Sequence, residues 1–342
     1  MPPSPRRRRR VFRGASAVAL FTLTAGGVAF AGTFHIGQRL DSIGRIDLGG
    51  ALHTVAPVTD PAASAGSTTP ATAGAVNYLI VGSDSRAGAR VTDADYASMG
   101  SQADNGGQRS DTIMILRLDP GGGASLLSLP RDLYVAIAGT GKQNRINTAF
   151  SISAETLVRT ISQDFNISIE HYLEVDFQGF KRLVDVIGGV SLCFPAPARD
   201  LNTGLHVSAG CWRLSGLQAL QFARSRHYEE LINGRWREDG SADLGRIKRQ
   251  QEFIRIAMDK AIAVGLHSPL TINNVLDAMV GNLTVDKGLT RSDFAHLAKQ
   301  FANLTSNQLQ TFTVPGNVAM IHGLSVLTID TGAAEPILAR FR

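Results

Sequence analysis

Arginines crowd one stretch of this chain. Residues 211–253 read CWRLSGLQALQFARSRHYEELINGRWREDGSADLGRIKRQQEF, and within or just beyond them fall Arg213, Arg224, Arg226, Arg235, Arg237, Arg246, Arg249 and Arg255. Glu229, Glu230, Glu238 and Asp243 interleave with them, so the stretch is not a simple basic tail. A guanidinium is a rigid fork of donors that matches phosphate oxygens, and several aimed at one place make a phosphate clamp. The competing explanation is a solvated charged face.

A clamp needs elements that hold it. Ser215 followed by Gln218 has capping-box spacing, and Leu217, Leu220 and Ala223 or Arg224 carry a helical period. The predicted helix delivers Arg224-Ser225-Arg226 at or just past its end. Asp243 is expected to cap a second helix whose buried stripe is Leu244, Ile247, Gln251, Ile254 and Met258. Arg246 and Gln250, four apart, then lie on another face. Both sit in the first two turns, where free N–H groups and the helix dipole favour an anion.

Carboxylates and further arginines cluster at predicted strand ends. The apolar run 76–81 ends in Gly82-Ser83-Asp84-Ser85-Arg86, and Arg109-Ser110-Asp111-Thr112 enters the strand of Ile113, Met114, Ile115, Leu116 and Leu118. Asp119-Pro120-Gly121-Gly122-Gly123 reads as a turn into a returning strand, 124–129, closed by Pro130-Arg131-Asp132. Two carboxylates such as Asp84 and Asp111 can hold one hard divalent ion whose other ligands are phosphate oxygens and water, as Mg²⁺ prefers. Surface ion pairs at turns are the plainer alternative.

The rest alternates helix and strand. Residues 145–150 lead into a helix reaching about 164; 171–177 is a strand; 179–187 is a helix stopped by Gly188-Gly189 before strand 190–194. Helices at 250–263, 271–280 and 291–302 and strands at 310–314 and 325–329 follow. The expected fold is α/β, a single three-layer α-β-α domain with a central mixed sheet, covering residues 76–342. Residues 35–75, rich in Ala, Ser, Thr, Pro and Gly, are expected to be an extracytoplasmic linker whose last part is a tether.

Charge and cysteines narrow the setting. The 342 residues carry a formal charge of +5, but the arginines at 6–10 and Arg13 supply six positive charges and leave the remainder at −1, so the basic balance is no argument for nucleic-acid binding. Residues 14–34 are uncharged and mostly apolar, long enough to cross roughly 30 Å of hydrocarbon. That is a transmembrane helix or a signal peptide, and the length and the arginine block favour an uncleaved anchor. Residues 1–13 are then a cytoplasmic basic tail and everything after the anchor is extracytoplasmic. Outside the membrane the only two cysteines, Cys193 and Cys211, are expected to pair, two buried thiols being the alternative.

The ordered segments VGSDSR (81–86), RSDTIMILRLD (109–119), SLPRDLYV (128–135), RINTAF (145–150), VDFQGFKRLVDVIGGV (175–190), LSGLQALQFARSRH (214–227) and DLGRIKRQQ (243–251) resemble the LytR-CpsA-Psr (LCP) family. The resemblance implies a phosphotransferase at the cell membrane, which moves a phosphoglycosyl polymer from a polyprenyl-pyrophosphate carrier to a peptidoglycan sugar hydroxyl and releases polyprenyl phosphate. It further implies that Asp84 and Asp111 hold Mg²⁺ (or Mn²⁺). Arg109, Arg131, Arg224, Arg226, Arg246 and Gln250 would contact the pyrophosphate, with Arg109, Asp111 and Arg226 nearest the chemistry. Asn147 is a further motif position. Asp111 is the candidate base if it faces the acceptor, and a hydrophobic pocket between sheet and helices would take the lipid. The partners implied are the lipid-linked polymer, peptidoglycan and the membrane, and no nucleic acid. A lipid-pyrophosphate-binding regulatory protein and a pyrophosphatase are the alternatives. Residues 87–108 and 227–242 look longer than the family needs, and Trp236 offers a stacking platform for a sugar.

Overall fold

The structure is a computed structural model that describes residues 38–53, 74–84, 110–120, 122–263, 274–275, 277–294, 297, 300 and 308–342, with only the backbone described for Asp111, Ala242 and residues 261–263. Met1–Ser42 and Ile43–Arg342 are separate compact units. Within the first, only a helical turn at 38–41 and Ser42 are described. The predicted tail and anchor, 1–34, and the whole of the loop 87–108 fall outside the described residues. Among the described residues, no helix is long and apolar enough to cross a membrane.

In chain order the strands are β1 (Gly44–Ile46), β2 (Val76–Ser83), β3 (Ser110–Leu118), β4 (Ala124–Ser128), β5 (Tyr134–Ile137), β6 (Lys142–Arg145), β7 (His171–Val175) and β8 (Val190–Phe194). They continue as β9 (Ala198–Asp200), β10 (Leu205–Val207), β11 (Gly210–Leu214), β12 (Glu229–Ile232), β13 (Arg235–Glu238), β14 (Leu283–Asp286), β15 (Leu309–Thr313), β16 (Gly316–Ile321) and β17 (Leu324–Ile329). The principal helices are α1 (Asn147–Ile152), α2 (Ala154–Phe165), α3 (Phe177–Val186), α4 (Gly216–Arg224), α5 (Ala242–Ala263) and α6 (Thr331–Leu338).

Seven strands form the central sheet in the order β1-β14-β7-β2-β3-β4-β15. Three pairs are parallel (β1 with β14, β2 with β7, β4 with β15) and three antiparallel (β14 with β7, β2 with β3, β3 with β4), so the sheet is mixed, as expected. Strand side chains alternate faces, which splits β2, β3 and β4 cleanly. Leu79, Val81, Ile113, Ile115 and Leu127 join one core with Leu157, Val158, Ile161 and Phe165 of α2. The intervening residues Ile80, Met114, Leu116 and Leu126 face α3, α4 and α5 and line a cavity there. Helices therefore cover both faces.

Local signals explain the helix ends near the cavity. Asp176 caps α3 by accepting from the Gly179 N–H, and Gly188 and Gly189 end the segment with φ of 80° and 81°. Ser215 and Gln218 form the full capping box of α4. The Cys193–Cys211 disulfide joins β8 and β11 directly across their antiparallel register.

Three expectations change. Part of the linker, 44–46, is a strand of the main sheet, and Leu48 and Ala51 are buried in its core. Only three residues pair there, too few for a period to show. The helix expected from 250 begins at Ala242, so Asp243 lies inside its first turn and is not its cap; Ser241 precedes it and its carbonyl accepts the Leu244 and Gly245 N–H groups. Finally, 227–242 contains the hairpin β12–β13, turned by Asn233 and Gly234 at φ 52° and 75°, and it joins β9 and β10 in a four-stranded sheet. Asn-Gly is the strongest short hairpin signal.

Candidate anion site beside an apolar cavity

The cavity of about 310 Å³ is walled by sheet residues Ile80, Met114, Leu116 and Leu126 and by Phe177, Phe180, Leu183, Leu220, Phe253, Ile254 and Met258 from the helices. Its few polar groups are Thr112, Asp176, Arg224 and Gln250. Gln250 donates to Thr112 Oγ1 at 2.9 Å and to the Ala223 carbonyl at 3.1 Å, which ties α5 to β3 and α4 at the polar end. The Arg224 guanidinium lies 4.3 Å from the Phe177 ring centre, a cation–π contact that holds it against the apolar wall. At Gly82 a Cβ would come within 3.0 Å of Thr112 Cβ, so the glycine lets β3 approach where Gln250 binds. Burial pushes the Asp176 carboxyl up to about 6, against hydrogen bonds from the Gly179 and Gln178 N–H groups.

One turn before Gln250 on α5 stands Arg246, whose side chain is 2% exposed. It lies 2.8 Å from Asp243 Oδ1, and Arg226 and Arg131 reach the same oxygen at 3.5 and 3.6 Å. Three guanidinium groups thus converge on one shared carboxylate, and Arg131 also lies 3.7 Å from Asp132 Oδ2, so among these described pairs guanidinium groups outnumber carboxylates three to two. Neither buried oxygen of Asp243 accepts an aligned hydrogen bond, so charge more than directional bonding gathers the arginines. Such a cluster can take an anion that offers more acceptor oxygens than one carboxylate.

The turn that aims Arg224 and Arg226 is built on Asp200, which is fully buried. Its Oδ2 accepts from Ser225 Oγ at 2.6 Å and from the Arg226 and His227 N–H groups, and Oδ1 accepts from Asn202 and Thr203 N–H. Burial alone would raise this carboxyl, but hydrogen bonds led by Ser225 and His227 outweigh it and hold it below the usual range. Arg249 clamps the same turn, donating to Asp239 Oδ2 at 2.6 Å and to the Ser225 carbonyl at 2.7 Å.

Of the residues expected in the site, the structure brings Arg131, Arg226 and Arg246 together at Asp243, and places Arg224 and Gln250 on the cavity. Asn147 begins α1, and its N–H donates to the Arg131 carbonyl at 3.2 Å. Arg109 lies outside the described residues. Asp84 directly follows β2, while the backbone of Asp111 sits at an irregularity of β3: Gly82 pairs with Thr112 and Ser83 with Ser110, so Asp111 is the extra residue. Both carboxylate positions are thereby at one end of two neighbouring strands. Asp243 and Asp200 were not foreseen as site-building residues; the i, i+3 spacing of Asp243 and Arg246 was the available signal. Trp236 has the Arg199 guanidinium 4.1 Å over its ring, so one face of that proposed platform is taken.

Against known proteins, the LytR_cpsA_psr family model matches residues 53–342. LcpB of Corynebacterium glutamicum, described as a probable cell wall biosynthesis protein, is 34% identical over 269 residues, 78% of this chain and 61% of LcpB. TagU of Oceanobacillus iheyensis, named a polyisoprenyl-teichoic acid–peptidoglycan teichoic acid transferase, is 30% identical over 259 residues, 73% of this chain and 70% of TagU. The structure of a LytR-Csp2A-Psr enzyme from Actinomyces oris superposes with a TM-score of 0.64 at 24% identity, over 87% of this chain and 95% of that one, a likeness of fold. The chain belongs to the LytR_cpsA_psr family.

Proposed function

For this member of the LytR_cpsA_psr family we propose a membrane-anchored transferase that moves a phosphoglycosyl polymer from a polyprenyl-pyrophosphate carrier to a hydroxyl of peptidoglycan. The observation that carries the reading is the junction of an apolar cavity with a cationic cluster: Gln250 lines the one, and Arg246, a turn earlier on the same helix, anchors the other. An amphiphile with a long apolar tail and a polyanionic head has that shape. TagU, by its name, acts on a polyisoprenyl-linked teichoic acid, which supports the substrate class.

In the proposed step the acceptor hydroxyl oxygen attacks the phosphorus that carries the glycan. A new P–O bond forms, the bond to the bridging oxygen breaks, and polyprenyl phosphate leaves with that oxygen and its electron pair. Arg131, Arg226 and Arg246 would hold the head and stabilise the charge that develops, which is most of what phosphoryl transfer asks of a protein. The hydroxyl proton goes to a carboxylate, for which Asp111 is the candidate. Arg109 would add to the cationic shell.

Asp84 and Asp111 fit an Mg²⁺ or Mn²⁺ ion in that their positions share one sheet end, next to Thr112, and Mg²⁺ commonly takes only one or two protein carboxylates beside phosphate. Such an ion would neutralise charge on the pyrophosphate oxygens.

The test is turnover of a polyprenyl-pyrophosphate-linked saccharide by the full chain in detergent, with and without peptidoglycan fragments, for wild type and Arg226→Ala. Acceptor-dependent release of polyprenyl phosphate, lost in the variant, supports transfer. Release that ignores the acceptor makes the protein a pyrophosphatase, and tight binding without release makes it a carrier-binding protein.

A further inference from the structure

A second cavity, of about 360 Å³, lies at the β1–β14–β7 edge of the sheet and shares no lining residue with the apolar one. That volume is at the lower end of small-ligand sites, about 300 to 1,000 Å³. One wall is aliphatic, from Ile46, Leu48 and Leu52; the other holds Glu170, His171, Asp286 and Asp293. The cations here are already committed. Lys287 pairs with Asp47 at 2.9 Å on the rim, and Arg45 donates to the backbone carbonyls of Asp286 and Leu289.

Asp286 is the informative residue. It is 1% exposed, and its Oδ2 accepts from the Tyr172 N–H at 3.0 Å and lies 3.2 Å from His171 Nδ1. Its Oδ1 is buried and has no hydrogen-bond partner. Fold support accounts for one oxygen and leaves the other. Beside it is Gly288, also on the cavity, where a Cβ would sit 2.9 Å from that Oδ1 although the backbone there is not left-handed. Gly288 therefore puts no side chain against Oδ1. A buried carboxylate oxygen without a donor is costly, and a cationic donor is the partner that best repairs it.

We propose that this cavity binds an aliphatic primary ammonium group, such as the side-chain amine of a diamino acid, with Asp286 Oδ1 as principal acceptor. Asp293 adds negative charge around the head, and Ile46, Leu48 and Leu52 pack the stem. A metal ion fits less well, because among the described residues no three His, Cys, Asp or Glu side chains stand close enough to hold one. The inference is independent of the transfer reaction.

The experiment is isothermal titration of the full chain in detergent with n-pentylamine, against n-pentanol and pentyltrimethylammonium as isosteres and MnCl₂ as the metal arm. Wild type is expected to bind pentylamine at least about tenfold more tightly than either isostere, about 1.4 kcal/mol. Gly288→Ala, which leaves every charge in place, and Asp286→Asn, which keeps an acceptor for Tyr172, should each weaken the amine by a similar factor. Should Asp286→Asn fail to fold, Gly288→Ala decides. The proposal is overturned if pentylamine does not bind, if Gly288→Ala binds it as wild type does, if the isosteres bind equally, or if Mn²⁺ binds and excludes the amine.

Discussion

Replacing Asp243 by Ala takes away the one carboxylate that three guanidinium groups share. Arg246 carries most of the consequence, since its side chain is 2% exposed and 2.8 Å from the carboxylate. Arg131 and Arg226, 17% and 39% exposed, are better screened by water and add little. Removing one partner of a buried pair costs about 3–5 kcal/mol; the lower end applies here because only one of the three partners is deeply buried. At about 2 °C per kcal/mol for a domain of this size, Asp243→Ala should melt about 6 °C lower. Inorganic pyrophosphate returns negative charge to the cluster. It should protect the variant more than wild type, in which Asp243 competes with the anion, and at a hundred times its Kd that protection is worth about 2.7 kcal/mol. Thermal unfolding followed by circular dichroism, with and without pyrophosphate, reads both effects. Wild-type melting in the variant, or equal protection of both proteins, would refute an anion site built around that carboxylate.

Three further expectations follow from the same geometry. Leu220→Trp puts bulk into the apolar cavity from a 5% exposed position and should raise KM for long-chain polyprenyl carriers by about tenfold while sparing short-chain ones; an equal effect on both chain lengths would remove the cavity as the lipid site. Glu170 is pushed up to about 7 from 4.5, chiefly by burial, so the folded state holds a proton that the unfolded state releases, and this contribution is full below 4.5 and lost as pH rises through about 7. Glu170→Gln should therefore gain stability over wild type as pH rises across that window, and a difference in unfolding free energy that stays flat with pH would contradict the burial argument. Replacing Cys193 and Cys211 together by Ala frees a loop of 18 residues, with an expected loss of about 3 kcal/mol in denaturant titration; no loss would place the bridge outside the stability of the fold.

What the sequence revealed and what it hid divide along physical lines. The helix Gly216–Arg224 was legible because its start is written in local chemistry, Ser215 and Gln218, and its capping box is present. The short strands β1 and β14 were hidden because three or four residues cannot display a period, and their pairing joins positions about 240 residues apart. The hairpin at 229–238 was available in Asn233-Gly234 but was masked by the charges around it.

Helix α5 departs from its expected stripe only in part: Ile247 and Met258 are buried as expected, at 4% and 8%, and the departure at its start is the more instructive one. Amphipathic reasoning puts leucines in and arginines out, yet Leu244 is 42% exposed while Arg246, Arg249 and Gln250 are buried at 2%, 8% and 8%. The helix turns its polar face inward because that face meets Asp243, Asp239, Ser225 and Thr112, partners supplied by its own first turn and three other segments. A buried guanidinium is costly unless such partners surround it, and a sequence cannot show that they converge. The place where the periodic rule breaks is the place where charge has been assembled at the expense of apolar burial, which is how a functional site departs from a structural one. Arg246 and Gln250 were singled out by their spacing, their place in the first turns of the helix and the family resemblance; their burial beside an apolar cavity turns that reading into an argument for an anionic head attached to an apolar tail.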